Sequence, residues 1–235
     1  MKEKIDSFDS AHLKMADLLA HHNQLVALLP RLGISLGFGE KTVQQVCDEN
    51  RVSLPLFDLV CKAYTHNDFA PDIEELRQCP MSDIVHYLKA SHADYLQFQF
   101  PHIQKHLKEV VQDWDARYRT SILNFFDEYQ REVASHFQFE EETVFPYIEH
   151  LIGEKDLGDA GVSVTDFESQ HENIDDKLRD LTNLMIKYIP VSVPQRERVY
   201  MLMDVYALAD DFSKHEIIEE RILIPYIKDL EHENK

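Results

Sequence analysis

One stretch of this chain occurs twice without a gap. Residues 136–151, HFQFEEETVFPYIEHL, and residues 215–230, HEIIEERILIPYIKDL, agree at 7 of 16 positions at a shift of 79, where chance gives about one. The same shift carries His92 onto His171, Val85 onto Val164 and Leu88 onto Phe167. Each half therefore supplies one histidine and, 44 residues later, a His-x-x-x-Glu pair. Two copies of one unit, facing each other about a pseudo-twofold axis, is the arrangement this repeat predicts.

Glycine and proline decide what kind of unit it is, because they mark where helices end. All 6 glycines fall in two clusters: Gly33, Gly37 and Gly39, then Gly153, Gly158 and Gly161. Between and beyond them, over 41–152 and 162–235, there is none, and apolar residues recur at three-four spacing. That periodicity predicts an all-α protein. Long helices are expected at about 81–110, 115–152, 163–188 and 195–231, with Pro190 and Pro194 setting the last turn. Four long helices with short connections read as an antiparallel four-helix bundle. Before Pro80, Pro30, Pro55 and Pro71 separate shorter helices. The expected organisation is a small helical N-terminal domain at 1–79 and a bundle at 80–235.

The apolar stripe shows where the repeated polar residues point. On the second long helix it runs Ile122, Phe126, Tyr129, Val133, His136, Glu140, Val144, Tyr147, Leu151; on the fourth it runs Met201, Val205, Leu208, Phe212, His215, Glu219, Leu223, Tyr226, Leu230. Val85, Leu88, His92 and Tyr95 form the stripe of the first helix, and Val164, Phe167, His171 and Ile174 that of the third. His92, His136, Glu140, His171, His215 and Glu219 are thus all expected in the core seam. A carboxylate left unpaired there costs several kcal/mol or titrates to neutrality. A single His–Glu hydrogen bond would explain either half alone. A duplicated set of four imidazoles and two carboxylates is a metal ligand set, with each His-x-x-x-Glu pair on one helical face. It suits two ions, each taking two histidines, with Glu140 and Glu219 bridging and room for an oxo, hydroxo or exogenous ligand. Imidazole with carboxylate suits iron, and the same donors accept manganese.

Other histidines have plainer readings. His86 lies six residues before His92 and turns away from the seam. His102 and His106, after Pro101, are too far along their helix to join the cluster, so solvation or helix-end pairing is expected. Glu141 and Glu220 neighbour the ligands and are candidates to orient a ligand histidine. Tyr147, Tyr226 and Trp114 read as packing residues.

Composition narrows the partners. With 43 Asp plus Glu against 24 Lys plus Arg, the net charge is −19, and such a field repels nucleic-acid phosphates and anionic lipid. No apolar run approaches the roughly 18 residues that suggest a membrane span, and 1–6 is too charged to open a signal peptide. The expected compartment is the cytoplasm. Cys47, Cys61 and Cys79 form no CxxC pair and are expected to be reduced thiols.

The His and Glu motifs resemble those of the hemerythrin-like di-iron bundle family: His92 in ASHADYL, His136 and Glu140 in SHFQFEEETVFP, His171 in ESQHENI, and His215 and Glu219 in KHEIIEERILIP. The likeness covers about 80–231, and the glutamate-bearing halves are most similar to the repair-of-iron-centres proteins. Oxygen-carrying hemerythrins resemble it less, since they place a histidine where this chain has Glu140. The Pro30 to Asn50 segment, PRLGISLGFGEKTVQQVCDEN, is similar to the glycine-rich signature of those relatives' N-terminal domain. Gly37 and Phe38 stand where the relatives carry adjacent cysteines, so the role of that pair does not transfer.

The resemblance implies a stress-response protein whose two non-heme iron ions bind NO, O2 or peroxide, with a part in iron–sulfur cluster repair. An alternative is a module that senses O2, NO or redox state without turnover and reports to a protein partner through the N-terminal domain. A metal-free interaction bundle is the third reading.

Overall fold

A computed structural model describes residues 10–112, 114–153, 174–189 and 193–233. Its helices are α1 (Met15–His21), α2 (Leu28–Arg31), α3 (Val43–Asn50), α4 (Leu54–Thr65), α5 (Ile73–Leu76), α6 (Met81–Asp94), α7 (Phe100–Val111), α8 (Ala116–Phe139), α9 (Phe145–Leu151), α10 (Ile174–Tyr188), α11 (Gln195–Ile218) and α12 (Ile224–Glu233). No strand occurs among the described residues; the sole β feature there is an isolated bridge between Lys14 and Thr42. The all-α expectation holds. None of the described helices is long and apolar enough to cross a membrane.

The long helices are not uniform. Wide π turns at Tyr95–Gln99, Glu140–Val144 and Glu219–Leu223 join α6 to α7, α8 to α9 and α11 to α12. Their cause is in the sequence. Pro101, Pro146 and Pro225 each stand second in the following helix. A proline there has no N–H for the carbonyl four residues back, and its ring crowds that carbonyl. The preceding residue instead donates five back: Phe100 to Tyr95, Phe145 to Glu140 and Ile224 to Glu219. The chain thereby takes one extra residue per turn without breaking the helix. Two of these turns begin on the repeated glutamates, so the sequence repeat is also a structural one.

The extra residue shifts the stripe. Ile122, Phe126, Tyr129, Val133, His136, Glu140 and Val144 are buried as expected, but Phe145 and Ile148 then occupy the core while Tyr147 and Leu151 are only half-buried. On the last helix the stripe is buried from Met201 to Tyr226, and Leu230 is half-buried. Val164, Phe167 and His171 lie outside the described residues.

The described residues form two compact units, one drawn from 1–91, 151–154 and 217–235 and the other from 92–150 and 155–216. The second holds a four-helix bundle. Its core joins Tyr95, Phe100 and Leu107 to Phe126, Tyr129 and Phe137, to Leu178 and Leu181, and to Val205, Leu208 and Phe212. α7 and α11 run antiparallel, as two polar pairs along them show, and further polar pairs tie α8 to α7 and α10. Gln104 bonds Asp127 from α7 to α8, and Lys177 reaches back from α10 to Glu132 on α8. Between α7 and α11, Gln99 meets Asp211 while His106 meets Asp204. Trp114, the packing residue of the sequence reading, is buried at the α7–α8 turn.

In the first unit, the N-terminal helices are short because turn chemistry interrupts them. Thr42 opens α3 with a capping box, accepting from Gln45 N–H while Gln45 returns the bond to Thr42. Just before it, Gly37 and Gly39 hold φ of 103° and 61°, values that a side chain disfavours. Pro55 sits in the first turn of α4 and Pro71 precedes α5, but Pro30 lies within the short α2 rather than between helices. There its absent N–H falls in the first turn, where no helical acceptor is needed. The same unit contains α12. Arg77 makes a two-pronged ion pair with Asp229, at 2.8 and 2.9 Å, and Arg221 donates to the carbonyl of Asn67 at 2.6 Å.

Candidate metal centre

Five of the six repeated His and Glu residues, His92, His136, Glu140, His215 and Glu219, are buried where the seam argument places them. His92, Glu140 and Glu219 have no solvent exposure, His215 has 1%, and His136 has 7%. His92 comes from the last turn of α6, and His136 from the last turn of α8. His215 and Glu219 are one turn apart on an uninterrupted helical rod. His92, Glu140, His215 and Glu219 each offer a ligand atom, and these atoms all lie within 4.8 Å of one another. His136 stands beside the group, its Nε2 3.3 Å from Glu140 Oε1. His171 lies outside the described residues.

Glu140 is the hinge of the arrangement. Its Oε2 lies 3.1 Å from His92 Nε2, while its Oε1 faces His136. The two oxygens of one carboxylate thus address two different imidazoles. His92 is oriented from behind by Glu141, whose Oε1 lies 2.9 Å from His92 Nδ1. A carboxylate only accepts, so Nδ1 carries the proton there, and in the neutral ring Nε2 presents its lone pair. That lone pair then points at a second carboxylate oxygen across 3.1 Å. A cation shared by the two atoms, a metal ion or a proton, would satisfy both.

This donor set fits a metal. Imidazole nitrogen and carboxylate oxygen bind a divalent ion at about 2.0–2.2 Å, and ligands at that radius in adjacent positions are roughly 3 Å apart. The spacings of 3.1 and 3.3 Å around Glu140 agree with it.

Aromatic rings hold the imidazoles in place and keep water out. Phe137 stacks on His92 with ring centres 3.9 Å apart and planes 9° from parallel, and Phe145 also lies nearly parallel at 5.6 Å. Tyr95, Phe137 and Phe212 surround His215 at 5.6, 5.5 and 6.0 Å. The stacking role of Phe137 and Phe145 is absent from the sequence reading. Phe137 directly follows His136, off the stripe, and Phe145 enters the core where the π turn rotates it inward.

The remaining candidates separate cleanly. His86 and Glu220 are exposed. Glu141 takes up the orienting role expected of it. The three cysteines are free and buried. Burial pushes the thiols of Cys47 and Cys79 up to about 12, and that of Cys61 well above its ordinary value. They therefore stay protonated and are poor nucleophiles.

A helical bundle that closes imidazoles and carboxylates inside an aromatic core is a metal-binding module. Residues 83–227, more than half of the chain, match the family model for the Hemerythrin HHE cation binding domain. The chain belongs to that family. Comparison with curated proteins gives no match.

Proposed function

We propose that this protein is a cytoplasmic non-heme di-iron protein of the nitrosative and oxidative stress response, binding NO, O2 or peroxide at the buried centre. The observation that carries this reading is the convergence of His92, Glu140, His215 and Glu219, drawn from both halves of the repeat, on one dry point. His92, His136, His171 and His215, with Glu140 and Glu219, would hold the two ions. The division of the Glu140 oxygens between two histidines supports a bridging role. Two iron ions would supply Lewis acidity and one-electron chemistry that side chains lack. The chain's own residues do the rest. Glu141 fixes the proton of His92 on Nδ1, the phenylalanines lock ring orientation, and the surrounding core excludes bulk water.

Supply of iron to damaged iron–sulfur clusters is the further activity suggested by the likeness to repair-of-iron-centres proteins. The test is an iron count and absorption spectrum of protein purified from iron-replete cells, followed by NO or peroxide consumption after reduction. About two irons per chain, near-ultraviolet charge-transfer bands and multiple turnovers support the proposal; manganese or trace metal sinks it.

A sensing role is the second reading, and one observation favours it. Arg221, two residues beyond Glu219, donates to the carbonyls of Asn67 and Phe69 at 2.6 and 3.3 Å. The proposed N-terminal domain, 1–79, is thereby joined to the helix that carries two ligands, and a partner could read the metal state through it. Stoichiometric, reversible ligand binding without turnover selects this reading.

A further inference from the structure

A second cluster of metal-ligating side chains lies on the surface of the bundle unit. His102 and His106 are spaced i, i+4 on α7, which puts both rings on one face, one turn apart. They meet a single carboxylate from α11. Asp204 Oδ2 is 2.7 Å from His106 Nδ1 and 3.3 Å from His102 Nε2. Each of the three residues offers a ligand atom, all within 4.8 Å of one another. Glu197, two turns before Asp204, places Oε2 3.9 Å from the opposite ring nitrogen, His106 Nε2, where it can orient the imidazole from behind.

We infer that His102, His106 and Asp204, with Glu197 beside them, form a second metal site that takes a zinc-class divalent ion and clamps α7 to α11. A lone His106–Asp204 hydrogen bond needs only one histidine. Here one carboxylate oxygen is shared by two imidazoles from successive turns, and the His102–Asp204 separation of 3.3 Å equals the edge of a tetrahedron with ligands about 2.0–2.1 Å from its centre. The exposure of His102 leaves a path for the ion and room for water in a remaining position, so this site is open to solvent. A chain of net charge −19 also concentrates cations at its surface. Filling the site adds a link between two helices already joined by core packing and side-chain hydrogen bonds, so bound ion adds to the stability of the bundle by mass action.

The test uses the full chain as purified, with its buried metal content left as found. Equilibrium dialysis against Zn2+ is followed by separate counts of zinc and iron, for wild type, His102→Gln/His106→Gln and Asp204→Asn. The inference expects the double variant to lose about one equivalent of zinc with its iron and helical content unchanged, and Asp204→Asn to bind zinc more weakly. It also expects Zn2+ to raise the wild-type Tm more than that of the double variant. A Glu140→Leu/Glu219→Leu chain, which empties the core, should keep the surface equivalent. Equal zinc content in wild type and His102→Gln/His106→Gln overturns the inference, as does zinc lost only with the core glutamates. Neither result depends on which metal the buried centre holds.

Discussion

At the scale of single residues, orientation matters as much as ligation. His92 is held on one side by Glu141 at 2.9 Å and on its face by Phe137 at 3.9 Å, so its Nε2 has one direction open to it. Glu141→Gln keeps the size of the side chain but removes the charge that makes Nδ1–H the favoured tautomer. We expect metal affinity to fall about 10–100-fold, the usual cost of removing a partner behind a ligand histidine, as measured by competition with a chelator. His86→Ala should leave the affinity unchanged, because that residue is exposed. An effect of His86→Ala as large as that of Glu141→Gln would reject the assignment of His92. Glu141 was legible in the sequence as a neighbour of Glu140. The stacking of Phe137 was not, since a residue next to the stripe is placed by the packing of other helices rather than by its own spacing.

At the scale of elements, the π turns connect the repeat to the site. Each begins five residues before the residue that precedes a proline, and two begin on a repeated glutamate. The turn Glu140–Val144 carries one residue more than an α-helix allows, and that surplus brings Phe145 rather than Tyr147 into the core. Deleting the exposed Glu142 should close the turn to α geometry and drive the Pro146 ring into a carbonyl, for a loss of about 3 kcal/mol or more. Adding Pro146→Ala to the deletion relieves that contact and should recover most of the loss in urea unfolding. If the two chains unfold at the same urea concentration, proline is not the cause of the wide turn. The duplicated proline was visible in the sequence from the start. Its consequence was not, because periodicity assumes a constant number of residues per turn.

At the scale of the molecule, the buried carboxylates are a cost that a bound cation would offset. Glu140 and Glu219, both without solvent exposure, are expected to favour the folded bundle only when a cation holds them. Replacing both by leucine should abolish iron binding yet preserve helical circular dichroism, since apolar residues often replace a buried charged cluster without loss of stability. A double variant that loses its helical signal would show instead that metal binding drives the folding of this chain.

Sequence alone determined the helical class, the approximate spans of the first, second and fourth long helices, the seam along them and the repeated polar residues that face it. These follow from local rules: three-four spacing, glycine and proline placement, and a repeat that no helix geometry can alter. Tertiary structure decided the rest. The phase slip after Glu140 arises from Pro146 further along the same helix; the choice of Phe137 and Phe145 as walls depends on which helix lies opposite. The meeting of His102 and His106 with Asp204 joins positions about a hundred residues apart. Distances between distant helices are set by how cores pack, and spacing along a chain carries no record of that.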